Sequence, residues 1–137
     1  MMPCLDTDLV IAFLRGDQSA MGKVKDLRLA YAGWYDISIT SITLCELYRG
    51  AFLSKSVSES IKFLNEFLES VTLLTQSKIS CFIYSEDYAE LKKNGIMTQD
   101  SDLMIASICK ANNVVLLTRN VKDFKNIPDM AARINNW

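Results

Sequence analysis

The sequence predicts a three-layer α/β domain in which helices cover both faces of a central, mainly parallel sheet. Short apolar or β-branched runs alternate with helical segments of ten or more residues, and that spacing requires crossover connections, which make neighbouring strands parallel. One run, VVLLT at 114–118, is continuously apolar between polar residues, as a strand buried on both faces must be. No Pro/Gly-rich linker, low-complexity stretch or repeat divides the 137 residues, so 1–137 is expected to form a single domain.

Residues 2–5 are a short apolar run and the first expected strand. Thr7 is placed to cap a helix over 7–15, with Gly16 where a C-terminal cap belongs. A second helix is expected over 19–32, stopped by Gly33. The DISIT segment at 36–40 alternates and is β-branched, hence a strand, followed by a helix over 44–53. Val57, Ile61, Leu64, Leu68 and Val71 step by 4, 3, 4 and 3, which is one apolar helical stripe. A strand at 71–74, a helix over 78–94 ended by Gly95 and a helix over 102–112 lead into the VVLLT strand.

Composition removes whole classes of chemistry. With no histidine, the chain runs neither a Ser-His-Asp nor a Cys-His mechanism and builds no His-containing zinc site. A net charge of -1 argues against an indiscriminate polyanion binder, so any nucleic-acid contact rests on local basic residues. Cys4, Cys45, Cys81 and Cys109 form no C-x-x-C pair and have apolar neighbours, as reduced core residues of a cytoplasmic protein do. The longest apolar run is six residues, 9–14, and Asp6 and Asp8 precede it. Neither a signal peptide nor a membrane span is therefore expected.

In a parallel α/β sheet, ligands bind beyond the carboxyl ends of the strands, so acids just after strands are the ones to weigh. Asp6 follows the first strand directly; it is either a site carboxylate or a surface acid favouring a helix start. Glu46 lies early in the helix after the second strand, where Thr43-x-x-Glu46 also fits a capping box. Asp100 and Asp102 open an apolar helix as ordinary dipole complements, but Asp102 shares a face with Ile105 and Ala106, which directs it toward the sheet edge. Asn120 follows the VVLLT strand much as Asp6 follows the first, and Asp123 comes one turn later, in the crevice or on a solvated loop. Two carboxylates about 4 Å apart repel by roughly 4 kcal/mol at an effective dielectric of 20. A converging cluster is therefore tolerable around a hard divalent cation, Mg²⁺ or Mn²⁺, and that suits phosphodiester hydrolysis without a histidine base.

Four segments in order carry a resemblance that spans essentially the whole chain. They are Leu5-Asp6-Thr7-Asp8-Leu9-Val10-Ile11, then Ser41-Ile42-Thr43-Leu44-Cys45-Glu46-Leu47 with Tyr48-Arg49-Gly50 behind it. Asp102-Leu103-Met104-Ile105-Ala106-Ser107 comes next, and last is Leu117-Thr118-Arg119-Asn120-Val121-Lys122-Asp123-Phe124 ending in Asn126-Ile127-Pro128. Together they resemble a PIN-domain ribonuclease of the VapC toxin type. The resemblance implies a Mg²⁺- or Mn²⁺-dependent endoribonuclease with Asp6, Glu46 and Asp102 as the acidic triad and Asp6 and Asp102 as metal ligands. Asp8 stands where the family often has Asn, and Asn120 where many members have Asp, so Asp123 or Asp100 is a candidate substitute. The resemblance further implies a homodimer and a small antitoxin whose tail occupies the active-site groove.

On this reading a metal held by Asp6 and Asp102 polarises the scissile phosphate, Glu46 orients or deprotonates the attacking water, and Asn120 or Asp123 steadies the metal shell. Arg15, Arg49, Arg119 and Lys122 lie near the motifs as RNA-phosphate contacts or as plain surface charges. Tyr48 and Phe124 are base-stacking candidates whose alternative is core packing. The rival enzyme readings are a PIN-fold nuclease of rRNA maturation or structured DNA, and an aspartyl-phosphate phosphatase. The phosphatase pattern D-x-D-x-T/V is met poorly by Leu9 and Val10 after Asp8. A receiver-type signalling domain would need a phosphorylatable Asp where this chain offers Ser41 and Thr75. A catalytically inactive PIN-fold binding module is the non-enzyme reading.

Overall fold

The computed structural model describes residues 1–31 and 37–137. In chain order it contains β1 (Pro3–Leu5), α1 (Thr7–Leu14), α2 (Gln18–Ala30), β2 (Ser38–Thr40), α3 (Ser41–Phe52), α4 (Val57–Leu68) and β3 (Thr72–Leu74). There follow α5 (Lys78–Lys93), α6 (Asp100–Asn112), β4 (Val115–Leu117), α7 (Val121–Phe124), a 3-10 turn (Ala131–Arg133) and β5 (Ile134–Asn135). The strands form one five-stranded sheet in the order β3-β2-β1-β4-β5, and every neighbouring pair is parallel. The chain builds outward from β1 to β3, then crosses to the other side for β4 and β5. The switch point lies between β1 and β4, where the crevice of such a sheet opens.

Alternation along the strands feeds two cores. Cys4 and Leu116 point to one face, among Leu91 of α5, Leu103, Ile105 and Ile108 of α6, and Phe124. Leu5, Leu117 and Ile39 point to the other, among Leu9 and Val10 of α1, Val24 of α2, Leu47 of α3 and Leu64 and Phe67 of α4. This is the predicted three-layer arrangement, and it leaves the carboxyl ends of β1 and β4 side by side.

Several local expectations shift by a few residues. The cap of α1 is Asp6 rather than Thr7, because the Asp6 carboxylate accepts the Thr7 N–H. Helix α3 begins at Ser41 rather than near 44, because the Thr40 hydroxyl accepts the Thr43 N–H at 3.1 Å. Thr43 is thus inside the helix, and the Thr43–Glu46 capping box does not form. Helix α2 ends at Ala30; Ala32, Gly33 and Asp36, which entered the expected helix end and strand start, lie outside the described residues. Helix α6 starts two residues earlier than expected, at Asp100. The short α7 and β5 were not anticipated. Gly16 and Gly95 follow their helices with φ of +81° and +70°, the left-handed conformation in which glycine has no steric penalty.

Two cysteines depart from the core expectation. Cys4 and Cys109 are buried, but Cys45 and Cys81 are exposed because they fall on the outer faces of α3 and α5. Among the described residues no helix is long and apolar enough to cross a membrane.

Candidate active site

Asp6, Asp8, Glu46, Asp102, Asn120 and Asp123 line a single cleft of about 440 Å³ at the carboxyl edge of the sheet, together with Thr7, Gln99, Ser101 and Arg119. They arrive on four elements: Asp6 and Asp8 at the start of α1, Glu46 on α3, Asp102 in the first turn of α6, Asn120 and Asp123 at α7. The amino ends of α1 and α6 therefore meet here, and their dipoles favour negative charge. Asp100 does not take part. Its Oδ1 accepts the Tyr84 hydroxyl at 2.8 Å instead.

Asp6 is the most enclosed acid of the group, 7% exposed. Its Oδ1 accepts the Thr7 N–H at 2.9 Å and its Oδ2 accepts the Thr118 hydroxyl at 2.7 Å. Burial nevertheless pushes its carboxyl up to about 7; the two hydrogen bonds oppose the shift, and the charges of Asp8 and Asp102 add to it. Burial likewise raises Asp102 to about 6, with the charges of Asp123 and then Glu46 pushing in the same direction. The convergence read from the sequence is thus an electrostatic stress felt by two of the acids.

Glu46 Oε1 accepts the Thr7 hydroxyl at 2.9 Å, so Thr7 ties the β1–α1 junction to α3. Glu46 Oε2 lies 3.9 Å from Arg49 Nη2, a long and solvent-exposed pair. Asp8 behaves differently from its neighbours. Its Oδ2 accepts the Arg119 backbone N–H at 2.9 Å and its Oδ1 the Trp137 indole N–H at 3.2 Å, so both oxygens are engaged by protein donors. The Asn120 backbone N–H donates to the Thr118 hydroxyl at 2.9 Å.

Of the four basic candidates, Arg119 alone is among the residues lining the cleft; Arg15 lines a separate groove between α1, α3 and α4. Phe124 is fully buried and belongs to the core, while the Tyr48 hydroxyl is bound to Asn65. Sequence reasoning missed Thr7, Thr118 and Trp137. Thr118 could have been found as the hydroxyl ending the VVLLT run at the functional edge of the sheet; Trp137, one aromatic residue in a polar stretch, carried no signal.

The donor set is all oxygen, the Asn120 amide offering its Oδ1 carbonyl oxygen, which suits a hard divalent cation. Among the described residues no three Asp, Glu or Cys side chains are gathered closely enough to enclose an ion alone. The raised carboxyls of Asp6 and Asp102 are the groups such a cation would relieve.

Comparison with known proteins places this geometry in a family context. The PIN domain family model matches residues 4–130. Ribonuclease VapC2 of Rickettsia felis is 37% identical over 101 residues, 74% of each chain. The tRNA(fMet)-specific endonuclease VapC of Salmonella typhimurium is 29% identical over 99 residues, 72% of this chain and 74% of that one. Among solved structures, VapBC2 from Rickettsia felis bound to a DNA fragment from their promoter superposes with a TM-score of 0.88 at 30% identity, covering 100% of this chain and 99% of that one.

Proposed function

The chain belongs to the PIN-domain family, among its VapC ribonucleases, and from that premise we propose that it is a divalent-metal-dependent endoribonuclease, the toxin of a toxin–antitoxin pair. The observation that carries this reading is the meeting of Asp6, Glu46, Asp102 and Asp123 in one cleft, with the carboxyls of Asp6 and Asp102 raised by burial and by neighbouring acids. Asp6 and Asp102 would hold Mg²⁺ or Mn²⁺. When bound, such a cation supplies Lewis-acid polarisation of a phosphate and a lowered pKa for a coordinated water.

The chain's own residues supply the rest. Glu46 is held by the Thr7 hydroxyl through Oε1 and keeps its second oxygen to orient or deprotonate the attacking water, the role a histidine would otherwise fill. Asn120 and Asp123, at the start of α7, would help to hold such a cation from the β4 side. Thr118 fixes the Asp6 carboxylate from the same side. RNA is the substrate class; because the Salmonella relative is named for initiator tRNA, that molecule heads the test panel.

A small VapB-type antitoxin is the partner this reading implies, as in the Rickettsia VapBC2 complex, and a homodimer and a cytoplasmic location go with it. The partly apolar groove lined by Ile11, Leu14, Leu47 and Phe63 runs up to Glu46 and offers an antitoxin segment a path to the cleft.

The test is cleavage of labelled initiator tRNA, other tRNAs and rRNA fragments with Mg²⁺, Mn²⁺ or EDTA, beside Asp102→Asn prepared identically. Metal-dependent cutting lost in the variant is expected. Equal cutting by both proteins would assign the activity to a contaminant and remove the reading.

A further inference from the structure

Trp137 joins two residues of the cleft rim. Its indole N–H donates to Asp8 Oδ1 at 3.2 Å, and its ring lies under the Arg119 guanidinium, whose central carbon is 3.5 Å from the ring centroid. Arg119 Nε donates to the Trp137 backbone oxygen at 3.3 Å, and the Arg119 backbone N–H donates to Asp8 Oδ2 at 2.9 Å. Asp8, Arg119 and Trp137 therefore close a ring of contacts between α1, the turn after β4 and the residues after β5.

We propose that Arg119 grips a substrate phosphate at the mouth of the cleft, and that Trp137 and Asp8 are positioning residues that hold its guanidinium open for that contact. The inference rests on the nuclease reading above.

Arg119 borders five carboxylates, Asp6, Asp8, Glu46, Asp102 and Asp123, and a guanidinium so placed is drawn to the nearest of them. Among the described residues the ion pairs that form are Arg49–Glu46 and Lys110–Asp87; Arg119 joins neither. Stacking on an indole and the bond from Nε hold it away from the acids. Those contacts use the flat face and the Nε edge, and leave both terminal nitrogens for the two-pronged grip that phosphate accepts best. Asp8, with both oxygens engaged by protein donors, serves this bracket rather than a cation. This gives the acid at that position a role that its spacing alone left open.

The test is RNA binding without cleavage. Anisotropy of a 5′-fluorescein 20-nucleotide single-stranded RNA is followed in EDTA over a salt series for wild type, Arg119→Ala, Trp137→Ala, Trp137→Phe and Arg119→Ala/Trp137→Ala. Arg119→Ala is expected to weaken binding several-fold at low salt and to flatten the slope of log K against log salt by about 0.7, one phosphate on a single strand. Trp137→Ala, which removes no charge, is expected to flatten the slope nearly as much; a merely structural residue would not. Trp137→Phe, which keeps a stacking ring, is expected to restore most of the slope. The double variant is expected to match Arg119→Ala within about twofold. If Trp137→Ala melts within the assay range, Trp137→Leu, which keeps apolar bulk without the stack, replaces it.

An unchanged slope in Arg119→Ala or Trp137→Ala, or fully additive losses in the double variant, would overturn the proposal. Cleavage of the same RNA by wild type with Mn²⁺ separates the two readings. Cutting combined with unchanged slopes removes the bracket alone, whereas neither cutting nor binding removes both.

Discussion

The Thr118 hydroxyl donates to Asp6 Oδ2 at 2.7 Å, joining the ends of β4 and β1 across 112 residues of sequence. Thr118 Oγ1 in turn accepts the Asn120 N–H, so one buried hydroxyl fixes an acid on one side of the switch point and the start of α7 on the other. The sheet order makes this possible: β1 and β4 are adjacent and parallel, with Leu5 opposite Leu117.

Thr118→Val keeps the shape and removes both bonds. The buried Asp6 carboxylate and the half-buried Asn120 N–H lose their partner, and leaving a buried polar group unsatisfied costs about 1–3 kcal/mol. The melting temperature is expected to fall by several degrees. Because the Thr118 bond lowers the Asp6 pKa, its loss is expected to raise that carboxyl further and to weaken Mn²⁺ binding at pH 7, read by calorimetry. Unchanged Mn²⁺ affinity would separate Thr118 from the Asp6 charge.

The raised carboxyls set the pH dependence of the metal-free protein. Asp6 titrates near 7 and Asp102 near 6 when folded, against 3.8 for an unperturbed carboxyl. Between about pH 4 and 7 the folded state therefore binds more protons than the unfolded one, so stability falls as pH rises through that window. The slope from Asp6 reaches up to about 1.4 kcal/mol per pH unit and flattens above pH 8. Urea denaturation in EDTA from pH 4.5 to 8.5, wild type against Asp6→Asn, isolates the contribution. A difference that is flat with pH would show that Asp6 is not raised.

Removing one acid tests the convergence itself. Asp102→Asn is expected to raise the melting temperature in EDTA by relieving repulsion among Asp102, Asp123, Glu46 and Asp6. It is also expected to shrink the rise produced by Mg²⁺ or Mn²⁺. In wild type, metal at a hundred times its Kd adds about 2.7 kcal/mol. A variant that melts like wild type with and without metal would mean that the acids do not share a cation.

What the sequence showed well was whatever periodicity or strand-end position carries. VVLLT and the acids following strands followed from spacing, and the two-sided sheet followed from them; the stripe read over 57–71 is only partly met, because α4 ends at Leu68, short of Val71, and Val57 is exposed. Caps were less legible: Thr7 and Thr43 are cap-type residues too, yet Asp6 and Thr40 take the caps and accept the N–H groups of those two residues, a choice set by backbone angles. The use of Asp8 was hidden because its partners, Arg119 and Trp137, lie 111 and 129 residues away. Cys45 and Cys81 misled because apolar sequence neighbours say little about which side of a helix a residue takes. The face that Asp102 shares with Ile105 and Ala106 gave its direction toward the sheet edge, but its neighbours there, Asp123 and Glu46, come from other elements and no local pattern supplies them.

At the amino edge of the sheet, far from the cleft, the Asp87–Lys110 ion pair ties α5 to α6 and offers a stability test independent of function. Lys110 Nζ also donates to the Pro128 carbonyl at 2.9 Å, and Asp87 is only 2% exposed. Burial raises the Asp87 carboxyl even though Lys110 pulls it down. Lys110→Met strands that carboxylate beside the acids Glu86 and Asp129, a loss of about 3–5 kcal/mol at pH 7 for a broken buried pair. The stranded acid can take up a proton, so the deficit is expected to shrink as pH falls from 7 to 5. Asp87→Leu/Lys110→Met removes both charges and is expected to recover most of the loss at pH 7, since a buried pair often contributes little over an apolar replacement. Urea denaturation of the three proteins at both pH values measures each step, and RNA cleavage by the double variant should match wild type because neither residue lines the cleft. A double variant as unstable as Lys110→Met would mean that the Lys110–Pro128 bond, rather than the ion pair, holds this edge together.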